Sequence, residues 1–132
     1  MELGTIIRIA DPLFPVGSPH VVIISDVKPG EYQACTTEID GRTAKIALTH
    51  VNYFGVPYIQ GSVEHYNVII DTAQCMISDY YYYMRNKSKT LNDLNKCITV
   101  STGYGDGIYK CTVVRNTQGD AVNIYVTFIE EE

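Results

Sequence analysis

A glycine-rich string at residues 101–109, Ser-Thr-Gly-Tyr-Gly-Asp-Gly-Ile-Tyr, has the clearest potential for ligand chemistry in this sequence. Its glycines stand at the alternate positions 103, 105 and 107. Glycine adopts positive φ and lets a ligand approach the backbone, and successive N–H groups in such turns can form a nest for an anion. The string therefore predicts a ligand-contacting loop. In the alternative interpretation it is a tight hairpin, in which Asp106 accepts hydrogen bonds from its own backbone.

Motifs of known catalytic and nucleotide-binding folds are missing from the sequence. The glycine string matches neither the phosphate-binding pattern G-x-x-x-x-G-K-[ST] nor the dinucleotide pattern G-x-G-x-x-G. There is no Gly-x-Ser-x-Gly or His-Glu-x-x-His, and the three histidines do not form the repeated His-x-Thr or His-x-Ser of a two-histidine phosphodiesterase. We accordingly predict no catalytic residue and no cofactor.

Three aspartates, Asp71, Asp79 and Asp106, are candidates for a metal site, because carboxylates suit Mg²⁺ or Ca²⁺. Their spacing does not require them to converge. Asp71 follows the apolar run Val-Ile-Ile and precedes Thr-Ala-Gln, so the favoured interpretation is a strand-end turn whose carboxylate caps backbone donors. We predict no metal ligand.

Tyrosine is the compositional outlier, with 11 Tyr against no Trp, and four of them form a run at residues 80–83. Tyrosine combines a flat ring with a polar tip, so the run could fill a core edge, form a subunit interface or stack on a nucleobase. A mixture of core and interface is the favoured interpretation. Arg85 follows the run and is a candidate for contacting a phosphate.

Short runs of period-two hydrophobicity separated by turn residues predict the elements that position these groups. In residues 43–50, for example, Ala44, Ile46, Leu48 and His50 alternate with a more polar set. A helix is predicted at 79–95, with Asp79 as its cap. The pattern indicates a mainly β or α+β fold, with antiparallel sheets packed as a sandwich or partly open barrel and one short helix. We predict strands near residues 4–10, 20–26, 31–38, 42–50, 66–70, 73–78, 97–101, 108–115 and 121–129.

Composition narrows the class of protein. The 132 residues, 45% of them hydrophobic, predict a single domain over 1–132. The net charge of −5 argues against a nucleic-acid polymer as partner. No run is long enough to span a membrane, and the N-terminal Met-Glu-Leu-Gly lacks the basic start of a secretory signal. Four widely spaced cysteines predict free, mostly buried thiols and hence a cytoplasmic location.

Several segments carry a family resemblance: 9–12 (Ile-Ala-Asp-Pro), 27–32 with 41–44, 70–79, and 102–109 with the turn at 116–119. With these segments the chain resembles a large bacterial and phage family catalogued as domain-of-unknown-function family 4241, together with its short phage-borne relatives. The family supplies no established activity. The resemblance implies a phage accessory protein that acts against bacterial immunity in the host cytoplasm.

The residues and the resemblance together lead to a hypothesis of sequestration: a homo-oligomeric protein binds a small nucleotide immune signal, a cyclic nucleotide or an ADP-ribose derivative. We expect Tyr104 or Tyr109 to stack on the ligand, Asp106 and Gln74 to bond its ribose, and Arg85 to lie near its phosphate. A phosphodiesterase that cleaves such a signal and a protein–protein inhibitor acting through residues 80–83 are the alternatives. The predicted ligand-binding residues are Asp71, Gln74, Arg85, Thr102, Tyr104, Asp106 and Tyr109.

Overall fold

The computed structural model describes residues 1–14, 18–86, 93–103 and 105–129. These residues form ten strands, one α-helix and a 3-10 helix at Val51–Tyr53. The strands are β1 (Glu2–Leu3), β2 (Ile7–Ala10), β3 (Val22–Ile24), β4 (Gly30–Ile39), β5 (Arg42–His50), β6 (Ser62–Ile70), β7 (Gln74–Asp79), β8 (Cys97–Ser101), β9 (Gly107–Arg115) and β10 (Ala121–Thr127), and the helix is α1 (Tyr80–Asn86).

Two antiparallel sheets pack face to face, which confirms the predicted mainly β fold and its sandwich architecture. The larger sheet has the order β1-β4-β5-β10-β9-β6 and the smaller one β3-β2-β7-β8. Over the described residues the sheets do not close into a barrel. Apolar side chains from both inner faces form the core, among them Ile7, Ile9, Ile46, Leu48, Val68, Ile77, Val113 and Ile124.

The predicted alternation accounts for the central strands. On β5 the four residues Ala44, Ile46, Leu48 and His50 are buried, and the residues between them are half-buried. The chain reverses after β4 through a two-residue turn, in which Asp40 and Gly41 both have positive φ. That is the turn which matches the twist of paired strands.

The first predicted strand, 4–10, is two strands in the structure. β1 pairs with β4 in the larger sheet, whereas β2 pairs with β3 and β7 in the smaller one. The chain changes sheets at residues 4–6, where the Gly4 N–H donates to the Asp79 carboxylate over 2.7 Å. A period-two pattern cannot reveal such a change of partner, because both strands keep the same alternation.

β6 begins at Ser62, earlier than the predicted start at 66, because its first residues pair along β9.

Asp79 caps α1 as predicted, since its Oδ1 accepts a hydrogen bond of 2.9 Å from the Tyr82 N–H. Residues 87–92 of the helix predicted at 79–95 lie outside the described residues. Residues 93–95 are not helical, so the prediction is wrong there. Within the described chain no helix is long and apolar enough to cross a membrane.

Cys35, Cys75 and Cys111 carry free thiols, as predicted. Cys75, Cys97 and Cys111 are buried, and Cys35 on β4 is exposed. Burial raises the pKa of Cys75 and of Cys111 to about 12. The thiols of Cys75 and Cys111 therefore stay protonated and unreactive.

Candidate functional site

Most of the predicted ligand-binding residues lie on two turns at one end of the smaller sheet. The turn before β7 contains Asp71 and leads to Gln74, and the turn after β8 contains Thr102 and Asp106. The Ala73 N–H donates to Asp106 Oδ1 over 2.9 Å, and the Thr102 N–H donates to the Ala73 carbonyl over 3.0 Å. The structure therefore brings these two turns together, as the sequestration hypothesis requires.

The polar groups of these turns are used mainly in holding the turns together. Thr102 Oγ1 and the Tyr109 hydroxyl both donate to the Gly105 carbonyl, the latter over 2.7 Å. The Tyr109 ring packs edge-on against Phe128, with ring centroids 5.3 Å apart. Asp106 binds backbone, as in the hairpin interpretation, although its donor belongs to the neighbouring turn. Tyr104, which with Tyr109 is one of the two residues predicted to stack on the ligand, lies outside the described residues.

The three aspartates do not form one group. Asp79 ends β7, whereas Asp71 and Asp106 lie beyond its beginning, and a six-residue strand separates its ends by about 16 Å. Both carboxylate oxygens of Asp79 accept backbone hydrogen bonds. Among the described residues, no set of three or more His, Cys, Asp or Glu side chains is arranged to hold a metal ion.

Arg85 is also separated from the two turns, because α1 follows the far end of β7. It is exposed on the helix and adjoins Met84, whose side chain lines a cleft of about 230 Å³. This cleft lies between the outer face of the smaller sheet and α1. Its lining residues are Arg8, Ser18, Val21, Ile23, Tyr80, Tyr83 and Met84.

Arg8 is the unusual member of this lining. Ile7 and Ile9 face the core, so the alternation of β2 turns Arg8 to the outer face, where α1 packs. The Arg8 side chain is only 2% exposed. Arginine is rarely buried to this degree unless a carboxylate or another anion accompanies it.

The protein supplies Arg8 with neutral partners. Its Nη2 donates to the Phe14 carbonyl over 3.1 Å, and the guanidinium carbon lies 3.9 Å from the centre of the Tyr83 ring. Within the described part of the chain no carboxylate forms an ion pair with Arg8, and Nη1 is buried without a hydrogen-bond partner. Burial lowers the pKa of Arg8, and Tyr83 offsets only part of that effect. The result is a buried positive charge without a described counter-ion.

A second buried polar atom without a partner lies beside Arg8. Ser78 on β7 is directly opposite Arg8 in the strand register, and both side chains point to the outer face of the sheet. Over the described residues the Ser78 hydroxyl has no hydrogen-bond partner. Buried polar atoms are nearly always paired, so two such donors on neighbouring residues indicate a place for an acceptor that the described residues do not provide.

Arg8, Ser78, Tyr80 and Tyr83 were not among the predicted site residues. The available signal was an arginine inside an apolar strand, Ile7-Arg8-Ile9. Alternation alone places that arginine in solvent, and only the packing of α1 shows that it is buried. Within the tyrosine run, Tyr83 is buried against Arg8 and Tyr81 is 50% exposed. The predicted role of the run in a subunit interface stays a prediction.

Comparisons with known proteins leave the family undecided: no family model, no curated protein and no solved structure matches this chain. The likeness to domain-of-unknown-function family 4241 therefore stays a prediction. Function is inferred here from the chemistry of the Arg8 cleft.

Proposed function

We propose that the protein binds a small anionic ligand, a nucleotide signal, in the Arg8 cleft and holds it without cleaving it. The observation that carries this proposal is the buried guanidinium of Arg8, which has no ion-pair partner among the described residues. A buried charge without a counter-ion costs several kcal/mol of folding free energy, and a bound anion offsets that cost. An acidic protein can maintain such a local positive site for a small ligand.

The remaining lining residues suit the uncharged part of a nucleotide. Val21, Ile23 and Met84 are apolar, and Tyr80 offers a half-buried ring on which a base can stack. Ser18 supplies a hydroxyl. Arg85 stands on the solvent side of α1 next to Met84, and its predicted contact with the ligand's phosphate stays a prediction.

Binding is favoured over cleavage by the composition of the cleft. Of the described residues that line it, none carries a carboxylate, an imidazole or a thiol. General acid–base catalysis and activation of a nucleophile ordinarily use those groups. Sequestration of a nucleotide immune signal in a bacterial host, as the family resemblance implies, is therefore the role that we propose.

The test combines thermal unfolding with recovery of the ligand. We expect cyclic nucleotides or ADP-ribose derivatives to raise the unfolding midpoint of the purified protein, because a ligand that binds only the folded state stabilises it. Heat denaturation should then release the ligand intact, as measured by chromatography. Arg8→Met should abolish the shift, whereas Lys110→Met, which removes an equal charge from the exposed face of β9, should retain it.

Two outcomes would overturn this proposal. One is the absence of any midpoint shift across the whole panel of nucleotides. The other is recovery of a cleaved ligand, which would support the phosphodiesterase alternative instead.

We also propose that the protein forms homo-oligomers, with the open edge of β4 as the contact surface. Residues 33–38 of β4 are exposed, and the described residues provide them with a strand partner only on the β5 side. An uncovered strand edge is a template for pairing with another chain.

A further inference from the structure

We infer that the anionic group bound by the Arg8 cleft carries a single negative charge and is a phosphodiester, as in a cyclic nucleotide, rather than a terminal phosphate. This inference rests on the proposed function and specifies its ligand. It follows from the number of charges in the cleft and from the two buried donors, Arg8 Nη1 and Ser78 Oγ, that have no described partner.

The charge count is one. Arg8 is the sole charged side chain among the described residues that line the cleft. Arg85, the next cation along this surface, is exposed. Water and salt screen an exposed charge, so Arg85 offsets little of a second negative charge placed inside the cleft.

The two classes of phosphate differ in charge at neutral pH. A terminal phosphate has a second pKa of about 6 and is close to a dianion at pH 7.5. A phosphodiester lacks that second ionisable oxygen and stays a monoanion. With one guanidinium in the cleft, the dianion would keep an unpaired charge away from water, which is strongly unfavourable.

The donors without partners agree with this count. Arg8 Nη1 and Ser78 Oγ belong to residues that face each other across β2 and β7. The Ser78 hydroxyl is buried and is not among the groups that line the cleft. A phosphodiester has two non-bridging oxygens, and in this proposal one of them accepts from Arg8 Nη1 and the other from the Ser78 hydroxyl. A carboxylate shares the single charge and the two oxygens, and the experiment separates these two sources.

The experiment is calorimetric titration of the whole chain with matched ligands at pH 7.5: 3′,5′-cyclic AMP against 5′-AMP, 3′,5′-cyclic GMP against 5′-GMP, and benzoate as the carboxylate. We expect each cyclic nucleotide to bind about tenfold or more tightly than its linear partner, and more tightly than benzoate. Ser78→Ala should weaken binding of the cyclic nucleotide, whereas Ser101→Ala, an exposed serine on β8, should not.

A second measurement at pH 5.5 tests the charge directly. Below its second pKa the terminal phosphate becomes a monoanion, so the affinity for 5′-AMP should rise towards that of the cyclic form. Tyr80, Tyr83 and His20, whose ring lies 5.7 Å from that of Phe14, are ionisable side chains of described residues around the cleft. The cyclic nucleotide, measured at both pH values, serves as the control for any effect of these groups, because such an effect would act on both ligands.

The outcomes are distinguishable. Equal affinity for cyclic and linear nucleotides at pH 7.5 would overturn the inference while leaving the proposed function intact. Benzoate binding as tightly as the cyclic nucleotide would support the single charge and overturn the phosphodiester. If none of these ligands binds, both this inference and nucleotide binding at the cleft are wrong.

Discussion

Arg8 belongs both to the fold and to the proposed binding site, because α1 covers it and also forms a wall of the cleft. Its guanidinium gains a hydrogen bond to the Phe14 carbonyl and a contact with the Tyr83 ring. Contacts of this kind each contribute about 1 to 2 kcal/mol to the free energy of unfolding. Removing a charged group from water costs more than that unless an anion accompanies it. Without an anion beside it, Arg8 is therefore a net cost in folding free energy, and the proposed ligand would offset that cost.

Replacing Arg8 with Met should leave the ligand-free protein equally stable or make it more stable. Methionine fills a similar volume without a charge, and buried charged groups can often be replaced by apolar ones at no loss or with a gain of about 1 kcal/mol or more. Denaturant unfolding of wild type and Arg8→Met at pH 7 measures the difference. A loss of stability above about 2 kcal/mol would mean that Arg8 is mainly a structural residue.

At the scale of elements, two carboxylates join β2 and β7 reciprocally. Asp11, which follows β2, accepts hydrogen bonds of 2.8 and 2.7 Å from the N–H groups of Asp71 and Thr72, ahead of β7. Asp79, which ends β7, accepts one of 2.7 Å from the Gly4 N–H, ahead of β2. Each carboxylate thus fixes the segment that leads into the other strand. This arrangement stabilises the strand register that places Arg8 and Ser78 opposite each other.

The Asp11 contacts should make stability depend on pH in the acid range. Burial alone would raise the Asp11 pKa, but hydrogen bonds from the backbone of Leu13, Asp71 and Thr72 and from the Thr72 hydroxyl lower it below its usual value. The unfolded state then takes up the proton first, so this stabilisation is fully present above about pH 4 and is lost as pH falls through the lower folded pKa.

Asp11→Asn should destabilise the protein at pH 7 by about 1.5 to 3 kcal/mol, because the charged acceptor of several donors is lost. In denaturant titrations, the difference in free energy of unfolding between Asp11→Asn and wild type should shrink as pH falls below 4. Asp71→Asn is the matched control, since the Asp71 side chain is exposed and only its N–H takes part in the contact. A difference that does not change with pH would contradict the role of the ionised carboxylate.

How far the sequence predicts these elements depends on how local the determining contacts are. β5 follows from alternation, and the cap of α1 follows from Asp79 standing before the tyrosine run. The burial of Arg8 does not follow, because α1 belongs to a distant part of the chain. The turn at residues 71–73 and the glycine-containing turn after β8 do lie next to each other, but the sequence could not show that Thr102 and Tyr109 would use their hydroxyls within the fold.

At the scale of the whole molecule, the two sheets differ in width, and the smaller sheet leaves one margin of the larger sheet uncovered. This margin is residues 33–38 of β4. β4 pairs with β1 only at its beginning, and a bulge interrupts its ladder with β5 between Thr37 and Glu38. Between these points Ala34 and Thr36 are exposed even though they lie on the side that faces inwards at Tyr32. The smaller sheet therefore does not cover this stretch of β4. No charged residue or proline at positions 33–37 protects the two faces or the outer edge of the stretch from pairing with another strand.

A second copy of the chain fits this margin through antiparallel pairing about a twofold axis at Cys35. That register sets residue 33 opposite 37 and 34 opposite 36, and all four are uncharged. We expect a weak dimer by light scattering at micromolar to millimolar concentration, because so short a strand pair buries little area.

A bis-maleimide should cross-link this dimer through Cys35, the one exposed cysteine. Cys35→Lys should disperse the dimer by setting like charges opposite each other, whereas Val63→Lys on the edge strand β6 should not. A chain that stays monomeric, or a dimer lost only with Val63→Lys, would rule out the β4 edge as the contact.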